Sequence, residues 1–473
     1  MEDRPVDIMR ERILPTTFAA ALFLSVAVFE VGPLAAPKNT TQKSAAPRVA
    51  AKGSTPFAGR ARYEPMRGAY LGAALDYSKI EGEGEARMGA IADVMGAWEK
   101  ESGRENALYM QFNPFPHADG SFPSWDKDPK GWASIADFCN ASDALGAAPV
   151  LTLEPLQPRV FVDGWKEGQN AFEATRALAM KMGAWNKPAF VRFAHEMNGS
   201  WYPWAEWEDK NRNQKRDPDE DTGFTASDYR KAFRNAASLF RKYAPNVALV
   251  WCPNSGLLGG EKRDVFGPFY PGDDVVDWVG LDIYERGWTM PKPGAKLWGG
   301  QFAYNLTRDM NDDLKTPNKN ESINFYETYA VGKNKPLMLC ETGATLSFRD
   351  DLENVERAWL NHQWKAGYWN DAEYGWMQAV YGTSAFKEQH LLQPIDRAFP
   401  KIKALVWFQV GKREYIPVEK SPGKIIWYED KWADYRMGGA VEEGAAKSEY
   451  ADLELDLFRR LTNTPYYLSK IAK

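Results

Sequence analysis

Eight short apolar runs recur along the chain: Tyr70–Asp76, Ala107–Asn113, Ala148–Glu154, Ala189–His195, Val247–Asn254, Trp278–Tyr284, Pro336–Glu341 and Ala404–Gln409. Most are apolar for five or more consecutive residues, the pattern of strands buried on both faces of a parallel sheet. Helical spacing fills most gaps. Glu85–Glu101 carries Met88, Ile91, Met95 and Trp98 at helical intervals, and Gly131–Leu145, Trp165–Trp185 and Ala226–Tyr243 follow the same rule. Ile323–Val331 and Leu352–Gln378 precede the last two strands, and 446–466 predicts a closing helix with Leu453, Leu457 and Leu461 on one face. Strand and helix alternating eight times predict an α/β fold, the (β/α)8 TIM barrel. An open doubly wound sheet also alternates, but eight repeats favour closure. The crossover from the fifth strand to the sixth is short and Gly-rich. In such a barrel, chemistry belongs at the C-terminal ends of the strands. Glu154, Glu196, Asn254, Tyr284, Glu341 and Gln409 all stand there.

The N-terminus has a different pattern. Arg4, Arg10 and Arg12 precede an apolar stretch from Phe18 to Phe29, then small residues through Ala36. Residues 1–36 thus read as a signal peptide, with a retained membrane anchor as the competing reading for Ile13–Val31. Residues 37–62, rich in Ala, Pro, Lys, Ser and Thr, are expected to be flexible linker, and 63–473 the barrel with its helical extension. The 473 residues carry a net charge of −5 with no basic stripe, which argues against a nucleic-acid partner. Three cysteines, of which Cys252 and Cys340 sit in apolar runs, give neither a disulfide framework nor a zinc spacing. Nothing points to a protein partner, and a monomer is expected. The 19 Trp and 21 Tyr exceed what a core requires and suit a cleft that stacks on sugar rings.

The fourth run places Arg192, His195 and Glu196 within an apolar strand and continues Met-Asn-Gly-Ser-Trp-Tyr-Pro-Trp to Trp204. Charged groups there are costly to bury without purpose. The seventh run, Lys335 to Gly343, ends an apolar strand on Glu341. Carboxylates on strands four and seven of one barrel face each other across its mouth.

The strand-four motif, His-Glu-Met-Asn-Gly-x-Trp-Tyr-x-Trp, closely resembles glycoside hydrolase family 26, in the clan with its acid/base on strand four and its nucleophile on strand seven. The resemblance spans about Gly68 to Gln409. It implies that Glu196 is the acid/base and Glu341 the nucleophile of a retaining double displacement. It implies further that Arg192 and His195 orient the pair, Trp201 packs beside the cleaved sugar, and Tyr284 contacts the nucleophile. Trp407 would form the floor of the central subsite, and His117, after strand two, would bind sugar. The family implies an exported endo-β-glycanase, most often acting on β-1,4-mannan. Mixed-linkage β-glucan and β-1,3-xylan are alternatives, and a non-catalytic carbohydrate-binding barrel is an alternative of another class.

Two features lie outside the motif. Glu154, at the end of strand three, is expected to contact sugar or to act as a third acid. In Asp209–Glu220, the oxygen-bearing side chains of Asp209, Asn211, Asn213, Asp217 and Glu220 fall at positions of a calcium loop, although Gln214 replaces the expected Gly. No cofactor is expected for the chemistry, and a structural calcium ion is an expectation from this loop alone.

Overall fold

Apolar strands separated by helices can bury both faces of every strand by closing a parallel sheet beneath a helical layer. The computed structural model has this architecture. It describes residues 59–471 apart from 81, 83, 212–215, 256–264, 286–300, 308–323, 345–371, 386–393, 422–423 and 438–450. The strands are β1 (Ala69–Leu75), β2 (Leu108–Pro114), β3 (Ala148–Glu154), β4 (Ala189–Phe193), β5 (Val247–Trp251), β6 (Trp278–Glu285), β7 (Leu337–Ala344) and β8 (Ile402–Gln409). Each pairs in parallel with the next, and β8 returns to β1 from Ala404↔Tyr70 to Gln409↔Leu75. The expected eight-stranded barrel is closed.

The helices are α1 (Gly84–Ser102), α2 (Ile135–Ala144), α3 (Asn170–Trp185), α4 (Ala226–Tyr243), α5 (Gln301–Thr307), α6 (Ala372–Tyr381) and α7 (Ile395–Ala398). Local chemistry sets their ends. At α4, the Thr225 hydroxyl accepts from Asp228 N while the Asp228 carboxylate accepts from Thr225 N, a reciprocal cap that satisfies two otherwise orphaned donors. The Ile323–Val331 segment narrows to a π-type turn at Tyr326–Val331, and only the end of Leu352–Gln378 lies within the described residues. Beyond β8 come an antiparallel hairpin, β9 (Gly411–Ser421) with β10 (Lys424–Asp434), then α8 (Ala451–Thr462) and the short β11 (Tyr467–Leu468) on the start of β1. The predicted Leu453 stripe on α8 is corrected. Leu453 is 41% exposed, and the buried face runs through Glu454, Leu457, Phe458 and Leu461, the 3–4 spacing that holds a narrow stripe in register.

Residues at the end of the expected linker join the fold. The Arg62 carbonyl accepts from Trp278 Nε1, and Tyr63 donates to the Asn246 carbonyl at 2.8 Å. The expected signal segment lies outside the described residues. Among the described residues no helix is long and apolar enough to cross a membrane.

Strand alternation decides which side chains enter the barrel. A Cβ on Gly72 would strike Leu108 and Val406, so these three meet inside, and Met110, Phe112 and Phe408 share their faces. Gly280 of β6 is also an inside position. A Cβ there would lie 2.6 Å from Cys340 Sγ and 2.9 Å from Cys252 Sγ, so the missing side chain makes room for both thiols. On β7 the register slips: Leu281 pairs with Leu339 but Asp282 with Glu341. Cys340 is the extra residue of this bulge, and Glu341 is re-aimed into the barrel beside it.

Candidate active site

Arg192 organises the site. It points inward from β4 and is fully buried, which an unpaired guanidinium could not sustain. Its Nε donates to Thr152 Oγ1 at 2.9 Å, its Nη1 reaches both oxygens of Asp282 at 2.9 and 2.8 Å, and its Nη2 donates to Glu341 Oε1 at 2.5 Å. Cys252 Sγ adds a contact to Asp282 at 3.2 Å. Asp282 and Glu341 hold the guanidinium in its charged form against the cost of burial. Glu341 receives a second bond from Tyr284 OH, at 2.7 Å on Oε2. Burial and the neighbouring Glu341 charge push the Tyr284 hydroxyl well above its ordinary range, so it stays a donor.

Glu196 follows the end of β4. Ala194 and Glu196 both take left-handed backbone, φ 49° and 52°. For residues with a Cβ this costs of order 1 kcal/mol each. Bonds on either side fix the turn: Ala194 N to the Leu153 carbonyl, Glu196 N to the Cys252 carbonyl, and Gly199 N to the Glu196 carbonyl, at 2.8–2.9 Å. The Glu196 side chain is thereby turned into the mouth. Its Oε1 accepts from Asn254 Nδ2 at 2.5 Å and its Oε2 from Trp201 Nε1 at 2.8 Å. Asn198 clamps Asn254 in turn, donating to its carbonyl and accepting from its N–H, both at 2.8 Å.

His195 lies between the two carboxylates. Its Nε2 is 3.8 Å from Glu341 Oε1, and a ring nitrogen is within 4.8 Å of a Glu196 oxygen. Burial and the charges of Arg192 and Lys412 hold it neutral. Tyr202 OH sits 3.2 Å from His195 Nε2 and stacks on Trp204 with ring centroids 4.2 Å apart, while Trp204 Nε1 donates to the His195 carbonyl. With the 42% exposed Trp201, these rings wall one side of the carboxylates.

The structure therefore brings together Arg192, His195, Glu196, Trp201, Tyr284 and Glu341. Glu154 joins them. It lies on the interior face of β3, two residues beyond Thr152. Burial and the charges of Glu341 and Glu196 push its carboxyl up to about 7 against the pull of Arg192 and Lys412.

Two expected positions differ, Trp407 and His117, and the calcium-like loop is described in part. Trp407 is 1% exposed, packs near Tyr381 of α6, and donates to the Tyr435 carbonyl. It thus faces the helical layer, because the inside positions of β8 are its neighbours Val406 and Phe408. Phe408 reaches Phe112, Tyr284 and Tyr435 with centroids 5.8–6.2 Å apart and takes the interior place expected of Trp407. His117 is 5% exposed, and its Nε2 is engaged by Asp128 at 3.0 Å, so that nitrogen is turned to protein. In the calcium-like loop, Glu220 is 1% exposed and accepts the backbone N–H groups of Asn211 and Asp217 at 3.2 and 3.1 Å, while Asn211 Nδ2 donates to Asp217. Asp209 N donates to the Ser200 carbonyl, and Asn213 lies outside the described residues.

Sequence reading missed Asp282 and Lys412, and it placed Asn254 at a strand end without giving it a role. The cue for Asp282 was present, a lone acid within the apolar run Val279–Tyr284, the same signal that marked Arg192. Lys412 had none. The hairpin geometry sets its ammonium 5.0 Å from the centre of Phe408.

A family model described as glycosyl hydrolase family 26 matches residues 175–295, from α3 to beyond β6. Endoglucanase H of Acetivibrio thermocellus is 28% identical over 251 residues, 52% of this chain and 25% of that protein. The β-1,3-xylanase TXYA of Vibrio sp. is 30% identical over 115 residues, 23% of this chain and 19% of that protein. The chain thus spans a quarter or less of these curated relatives. A solved endo-β-1,4-mannanase double mutant from Cellulomonas fimi aligns with 86% of this chain and 73% of its own at 16% identity, with a TM-score of 0.47. The matched region contains the strand-four motif and the turn that presents Glu196, so the likeness to glycosyl hydrolase family 26 falls on the part of the chain that carries the site.

Proposed function

We propose that this protein is a retaining endo-β-glycanase that cleaves β-linked polysaccharide by double displacement, with β-1,4-mannan as its leading substrate. The observation that carries this reading is the pair of differently held carboxylates in the barrel mouth. Glu341 is gripped by a cation and a hydroxyl, and Glu196 by two N–H donors beside exposed Trp201. Glu341, positioned by Arg192 and Tyr284, is the nucleophile that attacks the anomeric carbon. As the C–O(Glu341) bond forms and the glycosidic bond breaks, Glu196 gives its proton to the leaving oxygen. It then takes a proton from water, which attacks the same carbon and frees Glu341. Residues 1–36 are read as the export signal of such an enzyme. β-1,4-Glucan and β-1,3-xylan form the second reading, favoured by the names of the curated relatives.

The test is hydrolysis of mannan, glucomannan, lichenan, β-1,3-xylan and cellulose by the full chain, alongside Glu341→Ala. The wild type should release oligosaccharides from at least one. The variant should fall by at least about 10³-fold and recover with azide as a glycosyl azide. No product from any β-glycan, or a Glu341→Ala variant of near-normal activity, would overturn the reading.

A further inference from the structure

Glu154 stands apart from the two carboxylates that the reaction uses. Strand alternation puts it on the interior face of β3, above Thr152, whose hydroxyl accepts from Arg192 Nε. The register Leu153↔Phe193 sets its Cα beside the turn that presents His195 and Glu196. Its backbone is fixed, the carbonyl accepting from Phe115 N at 2.7 Å and Leu156 N at 2.9 Å. Its side chain is half-buried and has no hydrogen-bond partner among the described residues, unlike Glu196 and Glu341. A carboxyl group held in a cleft with its oxygens unclaimed is placed to bind a ligand's hydroxyl groups.

The groups that share its field come from several elements: Arg192 of β4, Glu196 and Tyr202 after it, Glu341 of β7 and Lys412 of β9. Lys412 lies over Phe408 and Tyr435 and also acts on His195. Glu154 is therefore coupled to both members of the reacting pair.

We propose that Glu154 is a third working carboxyl of the site, which hydrogen-bonds hydroxyl groups of the sugar between Glu196 and Glu341 and whose negative charge keeps the proton on Glu196 as pH rises. This deepens the glycanase reading and rests on it. With its carboxyl pushed up to about 7, Glu154 ionises near neutrality. A new negative charge nearby makes Glu196 harder to deprotonate, so the acid stays loaded to higher pH.

The experiment is the pH profile of kcat/KM for the full chain, wild type against Glu154→Gln and Glu154→Asp, on whichever β-glycan the wild type cleaves. The alkaline limb reports the essential acid of the free enzyme. Glu154→Gln, equal in size but uncharged, should move that limb down by about one pH unit, the shift expected of one charge at close range in a partly wet cleft. The acidic limb should move less. Glu154→Asp should keep the alkaline limb but raise KM several-fold, because the shorter side chain retains the charge and loses reach to the sugar. An active wild type whose alkaline limb stays put in Glu154→Gln overturns the role of Glu154 and leaves the glycanase reading standing. An unmoved KM in Glu154→Asp overturns the sugar contact. A wild type that cleaves no β-glycan overturns both readings.

Discussion

Arg192 joins the side chains of Thr152, Asp282 and Glu341, which chemistry or folding would otherwise keep apart. It lies below the reacting pair, and its partner Asp282 is fully buried. Removing one member leaves the other charge in a low-dielectric interior, which costs about 3–5 kcal/mol. Arg192→Met should lose stability on that scale, measured by urea unfolding of the full chain. Arg192→Met combined with Asp282→Leu should regain most of it, because two apolar side chains replace a desolvated pair. Activity should stay low in both, since Glu341 has lost its cation. A double variant no more stable than the single one would show that the pair does more than cancel charge. Glu154 gives a prediction of opposite sign. Its folded-state value is raised from the ordinary 4.5 to about 7. Below about pH 4.5 both folded and unfolded chains hold the proton, and Glu154 costs nothing. As pH rises towards 7 the unfolded chain ionises while the folded chain keeps its proton, so folding stability falls. Glu154→Gln should therefore match the wild type at pH 4 and exceed it at pH 8 by about 2 kcal/mol, after allowing for solvent at a half-buried group. Equal stabilities at pH 8 would mean that the carboxyl carries little strain.

The strands and helices were the most legible part of the chain. Ala148–Glu154 and Ala226–Tyr243 have the predicted boundaries, because an uninterrupted apolar run and an amphipathic repeat with a Thr-Ala-Ser-Asp start are strong local signals. Trp407 shows where such signals stop. Its strand was legible, but which of two adjacent aromatics faces inward depends on the pairing of Gly72, Leu108 and Val406, and so on register. The aim of Glu341 depends likewise on a one-residue bulge at Cys340, set by pairing with β6 and invisible in an apolar run. Asn254 stood at a legible strand end, but its bond to Glu196 needs the Asn198 clamp from another loop. In the 209–220 loop the Glu220 carboxylate accepts two backbone N–H groups, and Asn213 lies outside the described residues. The expected structural calcium is tested by calorimetry: if the loop holds the ion, a chelator should lower Tm and millimolar calcium should restore it. A Tm unmoved by both would end the ion-binding reading of that loop.

At the scale of the whole molecule, the closed barrel brings distant positions to one mouth. Residues 149 apart in sequence share a hydrogen bond, as do residues 90 apart beneath them. The helices and the lower layers of the barrel supply rigidity, and the strained turn after β4 and the bulge in β7 aim two carboxylates from opposite sides. That division is what a double displacement requires, since one carboxylate must bond to carbon while the other moves a proton. The most direct measurement follows the anomeric configuration of the first product by proton NMR as the wild-type enzyme cleaves its β-glycan. Double displacement through Glu341 predicts that the β-anomer appears first and the α-anomer grows in only by mutarotation. The α-anomer appearing first would mean direct attack by water and would contradict Glu341 as nucleophile.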